Sequence, residues 1–177
     1  GRDVDAEALL SGLLPRMRPA LQGPLFVKVP PYRTDAEREG VLRLVRIAED
    51  GGADGVTASN TLPVPAAEMW VGRGGLSGRA IFGDTVRIVD DISEATQGRL
   101  LVNACGGIFS AEDAIRCLQA GARTVQLYTG LIYRGPRVVR EIGLGLLRSG
   151  VQPLPNAKGT GTGLPHSSAI RAVGPSS

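Results

Sequence analysis

Histidine, cysteine and the aromatics are all scarce in this chain of 177 residues, and each scarcity removes a class of function. One histidine, His166, and two cysteines cannot assemble a Cys/His metal set, and Cys105 and Cys117 lack the CxxC spacing of a metal or redox motif. They read as ordinary reduced, partly buried thiols, which predicts a reducing compartment; no metal ligand is assigned. Aromatics make up 4% of the chain, and the formal charge of +3 arises from 20 Lys and Arg against 17 Asp and Glu without a basic block, so nucleic-acid binding has little support. No apolar run approaches the roughly 18 residues of a membrane helix, and no signal-peptide pattern opens the chain. The chain begins at Gly1 with its first methionine at Met17, which suggests a cropped or processed start.

What is abundant is glycine, with 25 residues, set in a chain that is 42% hydrophobic and therefore able to bury a core. Short β-branched runs alternate with helical periodicity. A helix is predicted over 6–17, capped by Asp5, followed by four strand–helix pairs. The strands are expected at 25–29, 54–59, 100–104 and 124–128, and the helices at 35–50, 83–95, 111–120 and 138–148. Between them, 60–80 reads as a long functional loop. Beyond Gly150 the composition turns to Pro, Gly, Ser and Thr, which predicts one domain over 1–150 and a disordered tail over 151–177; His166 lies in that tail and receives no role. Strand–helix alternation implies a parallel sheet with binding loops at the carboxyl ends of its strands. Four strands suggest half of a (β/α)8 barrel, with an open doubly wound sheet as the alternative.

Two apolar strands each open into a turn suited to an anion. Leu100-Leu101-Val102-Asn103-Ala104-Cys105 leads into Gly106-Gly107, and Val125-Gln126-Leu127 leads into Tyr128-Thr129-Gly130 ahead of a helix; together they suggest one shared phosphate site. Lys28, inside Phe26-Val27-Lys28-Val29, is expected in a strand buried on both faces. It either snorkels from the strand end or faces an anionic cofactor or intermediate. Asn60 and Thr61 either start a turn or hydrogen-bond a small polar ring, and Gly74-Gly75-Leu76-Ser77-Gly78 is either a flexible loop or part of the site.

Taken in order, Phe26-Val27-Lys28-Val29, Ala58-Ser59-Asn60-Thr61, Gly74-Gly75-Leu76-Ser77-Gly78, Cys105-Gly106-Gly107-Ile108 and the run from Val125 to Pro136 resemble dihydroorotate dehydrogenase over roughly residues 20–148. The Val-Gln-Leu-Tyr-Thr form resembles the membrane-associated, quinone-reducing class 2. The resemblance implies the C-terminal half, about four βα units, of a (β/α)8 TIM barrel that binds FMN and oxidises dihydroorotate to orotate in pyrimidine (UMP) biosynthesis, with quinone as acceptor. It also implies a cytoplasmic protein, or one peripheral at the inner membrane through an N-terminal region outside this chain. Lys28 would lie against the flavin pyrimidine edge and stabilise negative charge there, with Ser59, in place of the usual threonine, close to the flavin. Asn60 and Thr61 would bind the substrate's ring and carboxylate. Gly78 and Gly107 would let backbone approach FMN, and Tyr128 and Thr129 would donate to its phosphate.

Departures from the family pattern are Pro30-Pro31-Tyr32 for Ala-Pro-Asp, a single threonine after Asn60, and Asn103-Ala104-Cys105 for Ile-Gly-Val. No residue matches the family's catalytic Ser or Cys base, which is expected upstream, so the chain alone is expected to be inactive. It should pair with a missing barrel half or self-associate. Another phosphate- or flavin-binding barrel enzyme, and a non-catalytic remnant of the family, remain as alternatives.

Overall fold

The apolar stripes of the predicted helices and alternate residues of the strands meet in one core in the computed structural model, which describes residues 5–65 and 72–151. Helix α1 (Ala6–Met17) starts where the Asp5 carboxylate accepts from the Glu7 and Ala8 N–H groups, as the sequence predicts. Strand β1 (Phe26–Val29) leads to α2 (Asp35–Asp50), whose entry is fixed by a reciprocal Thr34–Glu37 capping box. Next come β2 (Gly55–Ala58), β3 (Leu62–Pro65) and β4 (Arg73–Leu76). A 3₁₀ turn at Gly78–Ile81 runs into α3 (Phe82–Thr96). Strand β5 (Leu101–Cys105) precedes α4 (Ala111–Gln119), entered through a Ser110–Asp113 capping box. Strand β6 (Thr124–Gln126), α5 (Thr129–Arg134) and α6 (Arg137–Ser149) complete the described fold.

The four-stranded sheet has the order β1-β2-β5-β6, and every pairing in it is parallel. Each parallel strand therefore lies beside its predecessor. A doubly wound sheet reverses that order at a switch point, so the sheet is of the barrel type and the open doubly wound alternative is set aside. The barrel is not closed: β1 and β6 are its two edges.

Side chains alternate across this sheet. Val29, Val56, Ala58, Val102 and Ala104 are buried against Val45 and Ala48 of α2 and Ile88, Val89 and Ile92 of α3, in one cluster with Cys117 and Val138. Full burial of each branched side chain contributes roughly 1.5–3 kcal/mol. The opposite face carries Phe26, Lys28, Asn103, Thr124 and Gln126, all at least partly exposed, and in these rows the β2 positions Gly55 and Thr57 are buried.

Three expectations change here. Lys28 is not in a strand buried on both faces; helices cover only one side of the sheet, and Lys28 stands exposed on the other. The stretch 60–80 is not merely a loop, because β3 and β4 pair antiparallel with Leu62 opposite Leu76 and Pro65 opposite Arg73. Its Pro and Gly content masked the hairpin, which tolerates both residues because it is only two strands wide. The fourth parallel strand stops at Gln126 rather than residue 128, since β5 pairs with it no further than Cys105 opposite Gln126. The predicted tail and His166 lie outside the described residues, apart from Val151.

Two carboxylates knit loops to helices. The buried Tyr32 O–H donates to Asp91 Oδ2 at 2.6 Å, and Arg38 Nη2 donates to Asp91 Oδ1 at 2.9 Å. Arg79 Nη1 and the Phe109 and Ser110 N–H groups converge on Asp113 at 2.6, 2.8 and 2.9 Å. Burial alone would raise both carboxyls, but these donors outweigh it and hold each below its ordinary range. A carboxyl depressed in the fold adds stability that is full above its unfolded value and lost as pH falls through the folded one. The melting temperature should thus hold steady from pH 7 to about 5 and fall steeply below about 4. Circular dichroism melts across that range check this, and a flat profile down to pH 3 would contradict it.

Candidate functional site

At the carboxyl ends of the parallel strands, five chain segments converge on one cleft of about 100 Å³. Lys28 comes from β1. Ser59, Asn60 and Thr61 follow β2, and Ser77 and Gly78 follow β4. Cys105 to Ile108 close β5, and Gln126 to Gly130 join β6 to α5. All eight residues singled out from the sequence, Lys28, Ser59, Asn60, Thr61, Gly78, Gly107, Tyr128 and Thr129, line this cleft. The two turns read as a shared anion site both line it and pack together, since a Cβ on Gly130 would lie 2.5 Å from the Ile108 carbonyl oxygen.

Backbone bonds carry the sheet into the site. The Ser59 N–H donates to the Cys105 carbonyl at 2.9 Å and the Asn60 N–H to the Val29 carbonyl at 3.1 Å, so the segment after β2 is tied to both neighbouring strands. A cis peptide joins Ala58 to Ser59. The Asn60 side-chain oxygen accepts from the Thr61 N–H at 2.9 Å, which leaves its NH₂ group available to a ligand.

Gly107 has φ +70°, and a Cβ placed on it would lie 2.7 Å from Phe82 Cβ and 2.8 Å from the Gly78 carbonyl oxygen. Gly78 has φ +74°, and its own Cβ position lies 3.2 Å from Thr129 Cγ2. Three loops thus interlock through two residues without side chains, and the walls of the cleft there are backbone. Asp113 anchors the arrangement, because it holds both Arg79 beside Gly78 and the Phe109–Ser110 amides beyond Gly107.

Lys28 is the single charged side chain on the wall, and no carboxylate lines the cleft among the described residues. Around it stand hydroxyls and amides, including Thr129 and Ser77, whose oxygens lie 3.4 Å apart. Such a surface suits an anion or an electron-rich polar ring. Tyr128, 75% exposed, presents its phenol to the cleft rather than to the core. Ser77, Gln126 and Cys105 also line the wall and were not singled out from the sequence. Gln126 could have been found from its place two residues before Tyr128, and Ser77 from its place within the Gly74–Gly78 motif.

A larger concavity of about 610 Å³ lies at the opposite end of the sheet, lined by Glu94, Gln97, Gly98, Gly121 and Arg123 among others. Size does not favour it, because barrel chemistry belongs to the carboxyl ends of strands and this hollow sits where β5 begins. A full small-molecule pocket encloses roughly 300–1,000 Å³, so the smaller cleft is one wall of a site rather than a closed chamber.

The two thiols differ sharply. Cys117 is fully buried, and that burial, with Asp113 nearby, pushes it up to about 12, whereas Cys105 is partly exposed on the cleft wall. A maleimide at pH 8 should label Cys105 alone in the folded protein and both thiols in urea. Intact mass after labelling reads this directly, and rapid double labelling of folded protein would contradict the placement.

Comparison with known proteins agrees with this geometry. The family model for dihydroorotate dehydrogenase matches residues 2–149. The chain is 40% identical over 124 residues to dihydroorotate dehydrogenase (quinone) of Methylococcus capsulatus, covering 68% of this chain and 36% of that protein. It is 38% identical over 156 residues to the protein of that name from Deinococcus radiodurans, covering 82% and 41%. The crystal structure of DHODH from Eimeria tenella in complex with ferulenol superposes with a TM-score of 0.62 at 33% identity, over 73% of this chain and 36% of that one. The ligand-free form gives 0.63 at 32% identity, over 75% and 38%. The chain therefore spans less than half the length of these relatives. With the family model matched across the whole described fold, the chain belongs to the dihydroorotate dehydrogenase family.

Proposed function

We propose that this chain supplies the C-terminal wall of an FMN site in an enzyme that oxidises dihydroorotate to orotate in pyrimidine biosynthesis, with quinone as electron acceptor. The observation that carries the reading is the single cleft joining a lone cation, two amide- or hydroxyl-bearing strand ends and two backbone-walled turns. These features fit the group: the Gly78 and Gly107 walls admit a phosphate to main-chain N–H groups, and Lys28 answers the electron-rich edge of a flavin. FMN, when bound, takes up the two electrons released from the substrate.

Lys28 stabilises charge at the flavin ring, and Ser59 supports the ring beside it. Tyr128 and Thr129 hold the phosphate. The free NH₂ of Asn60 and the hydroxyl of Thr61 orient the substrate ring and carboxylate. None of these is a general base placed on the substrate, so that base comes from a segment outside this chain, which completes the open side of the cleft. The exposed edges β1 and β6 support the same view, and in its absence the chain self-associates along them. Membrane contact is assigned to that other segment; among the described residues no helix is long and apolar enough to cross a membrane.

A second reading keeps the flavin and changes the substrate. It is favoured by Asn103, which departs from the family pattern on the sheet face under the cleft.

Flavin fluorescence titrations with FMN and riboflavin, followed by an assay with dihydroorotate and a soluble quinone, test the proposal. FMN should saturate and bind about tenfold or more tightly than riboflavin, because a phosphate gains charge-assisted hydrogen bonds. The chain alone should show no turnover. Oxidation at a normal enzymatic rate would overturn the one-wall reading, and equal affinity for the two flavins would overturn the phosphate assignment.

A further inference from the structure

Beneath the cleft, the exposed face of the sheet carries a chain of polar side chains centred on Asn103. In register, Thr57 of β2 lies opposite Asn103 of β5, which lies opposite Thr124 of β6, with Gln126 one pair further towards the site. Asn103 Nδ2 donates to Thr57 Oγ1 at 3.3 Å and to Gln126 Oε1 at 3.2 Å, while Asn103 Oδ1 accepts from the Thr124 hydroxyl at 3.0 Å. Both amide hydrogens and the oxygen of Asn103 are thereby committed.

The consequence falls on Gln126. Its oxygen is taken by Asn103, so its amide is fixed with the NH₂ group as the remaining polar end, and Gln126 lines the cleft. No other partner engages that NH₂ among the described residues. As the last residue of β6 it stands two residues before Tyr128 and the phosphate turn. Lys28 stands three strands away, on β1. A ligand reaching from the turn towards Lys28 must first pass Gln126.

We infer that Gln126 donates through Nε2 to the polyol linker of the flavin, between phosphate and ring, and that Asn103 is the positioning residue that holds this amide in its donating orientation. The inference rests on the flavin reading and adds to it a residue pair that discriminates among flavins by their side chain. Lumiflavin, which has the ring but no polyol, gains nothing from the contact.

The test uses the full chain and three ligands, FMN, riboflavin and lumiflavin, with Gln126→Met, Asn103→Leu and the double variant. Gln126→Met should weaken FMN and riboflavin about three- to tenfold, the range of one neutral hydrogen bond, and leave lumiflavin unchanged. Asn103→Leu should reproduce part of that loss, and in its background Gln126→Met should add little, since the amide is no longer held. A merely structural role for Asn103 would weaken all three flavins alike and leave the two substitutions additive. Either pattern, or unchanged FMN affinity in Gln126→Met, overturns the inference while the flavin reading stands. Wild-type chain that binds no flavin overturns both. Should Asn103→Leu fail to fold, Gln126→Met, at an exposed position, still decides the matter through the lumiflavin comparison.

Discussion

Gly107→Ala should lower the unfolding free energy by roughly 2–4 kcal/mol and abolish the proposed flavin binding. Two independent costs combine. At φ +70° any L side chain is strained, and the added methyl meets Phe82 Cβ, Phe82 Cα and the Gly78 carbonyl at 2.7 to 2.8 Å. None of those atoms is the movable tip of a side chain, so relief requires the 3₁₀ turn at Gly78–Ile81 to shift, and that turn is one wall of the cleft. Gly150→Ala separates the two costs. Gly150 has a φ of +65° in the left-handed helical region with nothing within 4 Å of its Cβ position, so its substitution should cost only the strain, roughly 1–2 kcal/mol, and leave flavin binding intact. Urea unfolding of both variants beside wild type measures the difference. Equal losses would show that loop contact at Gly107 is unimportant.

Lys28→Ala should weaken FMN binding about 10- to 100-fold, the effect of one hydrogen bond to a charged group. Among the described residues Lys28 is the only charge on the wall, and no carboxylate there would be left unpaired by its removal. The variant should therefore fold as well as wild type. Ionic strength provides a second readout: salt should weaken wild-type binding more than that of the variant. Affinity unchanged by the substitution would mean that Lys28 points past the ligand and simply snorkels from the strand end into solvent.

The legible parts of the sequence were those where local chemistry and fold agree. Asp5 and Ser110 cap the helices predicted for them, and periodicity places α2, α3 and α4 within a residue or two of their observed ends. The eight site residues lie at strand ends, where turn chemistry marks them, and the sheet order brings those ends together. What periodicity could not supply was the partner of each face. Lys28 sits in an apolar run that suggests burial on both sides, yet only the helical side is covered, a property of the sheet rather than of the run. The β3–β4 hairpin was hidden because its glycines and prolines are turn formers, and their strand pairing depends on a partner about ten residues away. Asn103 stood out as a departure from the family pattern, but only the register of three strands reveals that it grips Gln126.

The central claim is that FMN binds at the carboxyl ends of the strands through this group of loops. An amide NMR titration of the full chain with FMN tests it most directly. The account predicts shifts confined to residues 28, 59–61, 77–78, 105–108 and 126–130, with the opposite hollow around Gln97, Gly98 and Gly121 unmoved. Saturable shifts centred on that opposite hollow, or no shifts in folded protein, would contradict it.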